Sequence, residues 1–278
     1  MTATPIYGAP TLKVKSAKEN ALVVADLHMG IESELAGRGV VLPSQVPKVK
    51  ERLLSLIEQE APKRLIFLGD VKHNVPIATW QEWRELPAFF EELTKFVRVE
   101  VVPGNHDGGL KGMVPSDVKI HGAGGILLGK SIGLVHGHAW PSPELMKAKL
   151  LISAHNHPAV EFRDGLGART VEPAWLRCKL NPSKLPKKLR GAAGNSVPKL
   201  LVMPAFSELV GGAAVNRAVP KELIGPIFKS GAARIEDAEV YLLDGTCLGP
   251  VRNLKSYEGS QQLKNLTPNS TIYGRVEK

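Results

Sequence analysis

Short apolar runs that stop abruptly at polar or glycine-containing clusters recur along the chain: ALVVAD (21–26), RLIFLGD (64–70), VRVEVVPGNHD (97–107), SIGLVHGH (131–138) and LLISAHNH (150–157). Runs this short and this rich in Val, Ile and Leu predict buried strands. Between them lie two stretches of helical period. From Ser44 to about Glu60, Val46, Val49, Leu53, Leu54 and Ile57 repeat at three- and four-residue spacing between Pro43 and Pro62. From Thr79 to Phe96, Trp80, Trp83, Pro87, Phe90 and Leu93 mark a second apolar face, which predicts core packing for both tryptophans.

The order β, α, β, α, β up to Val102 predicts a parallel start, because parallel strands need crossover connections. Later strands come closer together, separated by glycine-rich turns such as His121 to Gly125, which predicts hairpins and a second sheet. Residues 161–199 carry Arg163, Arg169, Arg177, Lys179, Lys184, Lys187, Lys188, Arg190 and Lys199 among many Gly and Pro residues. That composition predicts an exposed basic insertion in one catalytic domain spanning 1–278.

Charge adds a preference for anionic partners: 36 Lys and Arg against 27 Asp and Glu leave a formal +9. Cys178 and Cys247 lie far apart without metal-type spacing, and are expected as free or buried thiols in a reducing cytoplasm. The first residues lack the apolar core of a signal peptide, and no apolar run approaches the roughly 18 residues that span a bilayer. A soluble cytoplasmic protein is the expectation.

Seven of the eight histidines, His28, His73, His106, His136, His138, His155 and His157, fall in or beside the clusters that end the apolar runs. Side chains at strand C-termini converge on one edge of a sheet, where open α/β folds build their sites. In Asp26-Leu27-His28 the two polar residues share one side of an extended segment. Gly69-Asp70 alone would be ordinary turn chemistry. Gly104-Asn105-His106-Asp107, His136-Gly137-His138 and His155-Asn156-His157 are rarer, and the convergence of all five clusters points to a metal centre.

In this order the clusters resemble the calcineurin-like metallophosphoesterase superfamily, whose pattern runs DxH, GDxx(D/H), GNH(D/E), H and HxH. The resemblance covers roughly residues 19 to 215. Within the superfamily the chain is similar to archaeal phosphoesterases related to the SbcD nuclease and to bacterial DNA-ligase-associated metallophosphoesterases, and the stretch from Leu201 to Gly212 resembles a segment of those families. The resemblance implies a four-layer α/β/β/α sandwich. It implies one metal on Asp26, His28 and His157, a second on Asn105, His136 and His155, and Asp70 bridging them. Two divalent ions are expected, Mn²⁺ before Fe, Zn²⁺, Co²⁺ or Ni²⁺, since the donors are nitrogen and oxygen without thiolate. Ala154 stands where the superfamily commonly has Gly, and its small side chain should leave the ligand geometry intact.

Metal-activated water attacking a phosphate ester would need no nucleophilic side chain. His106 would serve the leaving oxygen, Asp107 would fix His106, and His73 would stand on the substrate side or support a metal ligand from behind. His138 could orient neighbouring ligands or could simply be adjacent. Lys184, Lys187, Lys188 and Arg190 could hold nucleic-acid phosphates. The expected substrate is DNA, RNA or a nucleotide, with a phosphomonoester or a non-catalytic nucleic-acid scaffold as alternatives. An HNH-type nuclease, suggested by the letters of 155–157, is set aside because the triplet ends a strand and completes the five-part series.

Overall fold

The computed structural model describes residues 1–217 and 225–254; the parts of the expected domain at 218–224 and 255–278 lie outside the described residues. A six-stranded sheet runs in sequence order through β1 (Thr2–Pro5), β2 (Thr11–Lys15), β3 (Asn20–Val24), β4 (Arg64–Leu68), β5 (Arg98–Val102) and β6 (Lys119–Ile120). From β3 to β6 the neighbours are parallel. The β1–β2 hairpin and β3 pair antiparallel, an extension that the apolar runs did not announce.

The second sheet joins β7 (Ile126–Leu128), β8 (Ile132–Leu134), β9 (Leu150–Ser153), β10 (Pro158–Arg163), β11 (Arg169–Cys178), β12 (Lys199–Val202) and β13 (Ala213–Ala214), in the order β13-β10-β11-β12-β9-β8-β7. Off this path β14 (Glu239–Leu242) pairs with β11, and β15 (Cys247–Pro250) pairs with β14. The β7–β8 hairpin matches the glycine-rich spacing, with Leu127 opposite Gly133.

Strand alternation explains the layers, because successive side chains point to opposite faces. In β3, Leu22 and Val24 join one core while Ala21 and Val23 join another; in β4, Leu65 and Phe67 part from Ile66 and Leu68 in the same way. A short helix α1 (Ile31–Gly37) follows β3, and the first core lies between this sheet and the helices α2 (Val46–Glu60) and α3 (Trp80–Thr94). A middle core joins the two sheets through Ile66, Leu68, Ile152, Trp175 and Met203. A third packs Leu151, Leu200 and Val202 against Leu189 of α4 (Lys187–Ala193). Helix, sheet, sheet and helix layers follow, as the resemblance implied. The Phe67–Phe90 pair, edge to face with ring centres 5.7 Å apart, adds about 0.5–1.5 kcal/mol to the first core beyond area burial.

Two expectations need correction. Trp80 and Trp83 are not core residues, being 81% and 51% exposed. The buried face of α3 is Glu82, Leu86, Phe89, Phe90 and Leu93, so the helix is rotated relative to the apolar stripe read from sequence. A carboxylate takes the inner position because it is saturated with donors: Glu82 closes a capping box with Thr79 and also accepts the backbone N–H groups of His73 and Asn74, at 3.0 and 2.9 Å.

Residues 161–199 are likewise not an exposed insertion. They supply the whole of the central strand β11, and Cys178, Leu180, Leu185 and Leu189 are buried in the third core. The basic side chains misled because they alternate with these apolar positions: Lys184, Lys187, Lys188 and Arg190 are all exposed. Cys178 and Cys247 are free thiols, as expected. No helix among the described residues is long and apolar enough to cross a membrane.

Candidate metal centre

The C-terminal ends of β3, β4, β5, β8 and β9 lead into the five clusters. Tight turns follow the strands, and the backbone pays for them in strain. Asp26, His28, Asp70, His155 and His157 have φ of 55°, 47°, 49°, 70° and 40°; Ala61 is the only other described non-glycine residue with positive φ. Such left-handed conformations at non-glycine positions concentrate at functional sites. Ala154 is not among them, and its N–H donates to the His136 carbonyl at 2.8 Å, so the missing glycine costs no strained backbone there.

Glycines next to the ligands allow close approach. A Cβ at Gly69 would stand 2.3 Å from Cδ2 of His136, and one at Gly104 would stand 2.1 Å from Oδ1 of Asp70. The two sheets are tied at this edge by the 203–207 segment, where Phe206 N–H donates to Ala25 O and Ser207 N–H to Asp26 O. That tie gives the resembling stretch 201–212 a structural meaning.

Six of the seven expected ligands are brought together. Asp26, His28, Asp70 and His157 offer one group of donor atoms within 4.8 Å of one another, and Asp70, His136 and His155 offer a second, with Asp70 common to both. Nε2 of His28 and Nε2 of His157 face each other at 3.3 Å. His136 Nε2 lies 2.9 Å from Asp26 Oδ1 and 3.4 Å from Asp70 Oδ2. Asn105 is exposed, between Gly104 and His106, whose N–H donates to Asp70 Oδ1 at 2.9 Å.

Neighbouring groups fix the rings. His73 Nε2 lies 2.6 Å from the Glu34 carboxylate, and its Nδ1 lies 3.1 Å from Nδ1 of His28. The carboxylate can only accept, so His73 donates from Nε2, and in its neutral form it accepts at Nδ1. His28 therefore donates from Nδ1 and keeps its Nε2 lone pair for the donor cluster, the usual way a metal-binding imidazole is oriented. His73 thus stands behind His28, and its ring also stacks on that of His106 with centres 5.5 Å apart. His138 Nδ1 meets His136 Nδ1 at 3.0 Å.

His106 Nδ1 donates to the His73 carbonyl. This leaves Nε2 for proton transfer. Asp107 does not hold the His106 ring: its Oδ1 accepts Val71 N–H at 2.8 Å and Lys72 N–H at 3.3 Å, and its Oδ2 accepts Gly104 N–H at 2.8 Å. A carboxylate spent on three backbone donors clamps the β4 and β5 loops together.

Charge and burial favour a cation among these donors. Burial alone would raise the Asp26 carboxyl, but His157 and His136 outweigh it and hold the group well below the usual carboxylate range. Burial raises Asp70, and the nearby Asp26 charge pushes the same way against His136. Burial, then the neighbouring His157, holds His28 well below its ordinary value, and burial with His136 takes His155 down to about 3. Burial would lower His136 as well, but Asp26 and Asp70 outweigh it and raise that ring. Imidazole nitrogens packed around buried carboxylates form a donor set that suits divalent Mn, Fe or Zn.

The basic residues at 184–190 are not brought to this centre. β11 ends with Cys178 opposite Leu200, and β12 begins with Lys199 opposite Leu150, the first residue of β9. The intervening segment therefore leaves and rejoins the sheet at the end opposite His155. Sequence reasoning missed Glu34 and the buttress Glu82; the Thr79-x-x-Glu82 capping box could have signalled the second, and nothing local signals the first.

Residues 20–177 match the calcineurin-like phosphoesterase family. No curated protein matches the sequence. The fold is similar to the crystal structure of Pseudomonas putida nuclease MPE, with a TM-score of 0.51 and 19% identity, covering 87% of this chain and 97% of that one. The E. coli phosphoesterase Yfce aligns with a TM-score of 0.33 and 22% identity over 52% of this chain and 74% of its own. The strand ends that carry the candidate ligands, from Asp26 to His157, all fall inside the matched residues, and the chain belongs to the calcineurin-like phosphoesterases, hydrolases of phosphate esters that work with divalent metal.

Proposed function

We propose that the chain is a dinuclear phosphodiesterase acting on nucleic acid or nucleotides. Asp26, His28 and His157 hold one cation, Asn105, His136 and His155 hold the other, and Asp70 serves both. The observation that carries this reading is the membership of Asp70 in both donor groups, since a carboxylate can give one oxygen to each of two ions about 3.5–4 Å apart. Mn²⁺ is the preferred ion, because the donors are imidazole, carboxylate and amide without thiolate. Free cysteines fit a cytoplasmic setting.

Bound cations would neutralise phosphate oxygens and lower the pKa of water. The chain's own residues do the rest. The His73–Glu34 pair sets the His28 tautomer, and His138 faces His136 from behind. His106, held at Nδ1 by the His73 carbonyl, has Nε2 as the nitrogen that can hand a proton to the leaving oxygen. The +9 charge favours a polyanionic substrate, and the Pseudomonas putida protein of similar fold is named a nuclease.

A panel of a phosphomonoester, a small diester, a dinucleotide and single-stranded oligonucleotides with Mn²⁺ tests this reading. Diesters should be turned over faster than the monoester. Faster turnover of the monoester would overturn the diesterase assignment.

A further inference from the structure

A cleft of about 470 Å³ opens directly beside His157, and Ala159, Val171 and Pro173 of the β10–β11 hairpin form part of its wall. In this antiparallel pair Ala159 is opposite Pro173, Glu161 opposite Val171 and Arg163 opposite Arg169. Directly paired residues share a face, and so do residues two apart along a strand. The face that lines the cleft therefore continues without a break through Glu161 to Arg163 and Arg169. From Ala159 to Arg163 is four residues of extended chain, about 13 Å.

Three guanidiniums gather at that end. Arg163, Arg169 and Arg217 lie 2.9, 2.6 and 2.8 Å from the Glu161 carboxylate, whose side chain is 5% exposed. The arginines themselves are 43%, 59% and 47% exposed, so each offers further N–H donors to solvent. The hydrogen bond from Arg163, supported by Arg217 and Arg169, holds the Glu161 carboxyl at about 2. One carboxylate thus fixes three cations and leaves two positive charges in excess. Asn216 secures the platform: its Oδ1 accepts Glu161 N–H at 3.0 Å and its side-chain amide donates to Glu161 O at 2.9 Å.

We propose that this hairpin face is the binding track for a polynucleotide strand: the cleft takes the sugar and base next to the phosphate at the metal centre, and Arg163, Arg169 and Arg217 hold a backbone phosphate farther along. The proposal rests on the phosphodiesterase reading. Its chemistry is a partly apolar slot for an unstacked base followed by forked donors for phosphate. The track moves the polyanion contact away from Lys184, Lys187, Lys188 and Arg190, whose segment is anchored at the other end of the sheet.

The test compares kcat/KM on a small diester and on a single-stranded oligonucleotide over a range of KCl, with Mn²⁺, for the parent, Arg163→Ser/Arg169→Ser and Arg163→Lys/Arg169→Lys. Arg217 stays to keep Glu161 paired. The Ser variant should lose at least tenfold on the oligonucleotide and flatten its log–log salt slope by about 1.4, two contacts at roughly 0.7 each for a single strand. Its rate on the small diester should stay within twofold. The Lys variant, which keeps the charges without the fork, should recover most of the salt slope. Parental oligonucleotide kinetics and salt slope in the Ser variant would overturn the track, as would equal losses on both substrates. Should the parent prefer a monoester to every diester, the underlying phosphodiesterase reading fails instead.

Discussion

Replacing Asp107 with Ala separates two roles for this carboxylate, a clamp between loops or a support for the His106 ring. The substitution leaves Val71 N–H and Gly104 N–H, each 2.8 Å from a carboxylate oxygen, without their acceptor, and also frees Lys72 N–H at 3.3 Å. Hydrogen bonds to a charged group contribute about 1.5–3 kcal/mol each. Counting only the two short ones gives a loss of about 3–6 kcal/mol. In a chain of this size that corresponds to a fall in Tm of roughly 6–24 °C, at about 2–4 °C per kcal/mol. Urea unfolding of the metal-free protein measures the loss directly. A kinetic cycle supplies the second readout: the fall in kcat caused by Asp107→Ala should persist in a His106→Ala background, because the clamp acts on the loops and not through the imidazole. Parental stability, with a kinetic effect that vanishes once His106 is gone, would refute the clamp and restore the role expected from sequence.

Other sites give equally direct outcomes. Gly104→Ala puts a Cβ 2.5 Å from the Asp70 backbone nitrogen, which cannot swing away as a side chain could; stability should fall by about 3 kcal/mol or more, with loss of bound metal, as read by urea midpoints and metal analysis. Trp80→Ser should change stability by no more than about 0.5 kcal/mol, since the ring is 81% exposed; a loss of several kcal/mol would place it in a core after all. Glu100, 3% exposed and bonded by Arg64 at 2.8 Å through both of its oxygens, should cost about 3 kcal/mol as Glu100→Ala, the lower end for removing one partner because Arg64 keeps Glu19. Burial would raise the Glu100 carboxyl, but Arg64 and His121 outweigh it and depress it below its ordinary 4.5. Its contribution is therefore fully present above pH 4.5 and lost as pH falls through the depressed folded value, so Glu100→Gln should flatten the acid limb of a stability-against-pH curve.

The clustering of donor residues was legible because its signal is chemical and local. Asp and His after short apolar runs name both the element and the donor, and the parallel crossover order brings those ends to one edge. Supporting residues were far less legible. Glu34 reaches His73 across 39 positions, and no spacing rule connects them. Asp107 was visible, but its partners are backbone N–H groups, two of them on another loop, which residue identity cannot reveal. The tryptophans misled because period alone reports a stripe without its rotation, and a saturated carboxylate at Glu82 turned α3. In residues 161–199 the charge was real, while the register of β11 decided which arginines reach the metal end.

Anomalous diffraction from crystals of the Mn²⁺-loaded protein tests the central claim most directly. The account predicts two manganese peaks about 3.5–4 Å apart with Asp70 between them, one within reach of Asp26, His28 and His157 and the other within reach of Asn105, His136 and His155. A single peak, or two peaks that do not share Asp70, would contradict it.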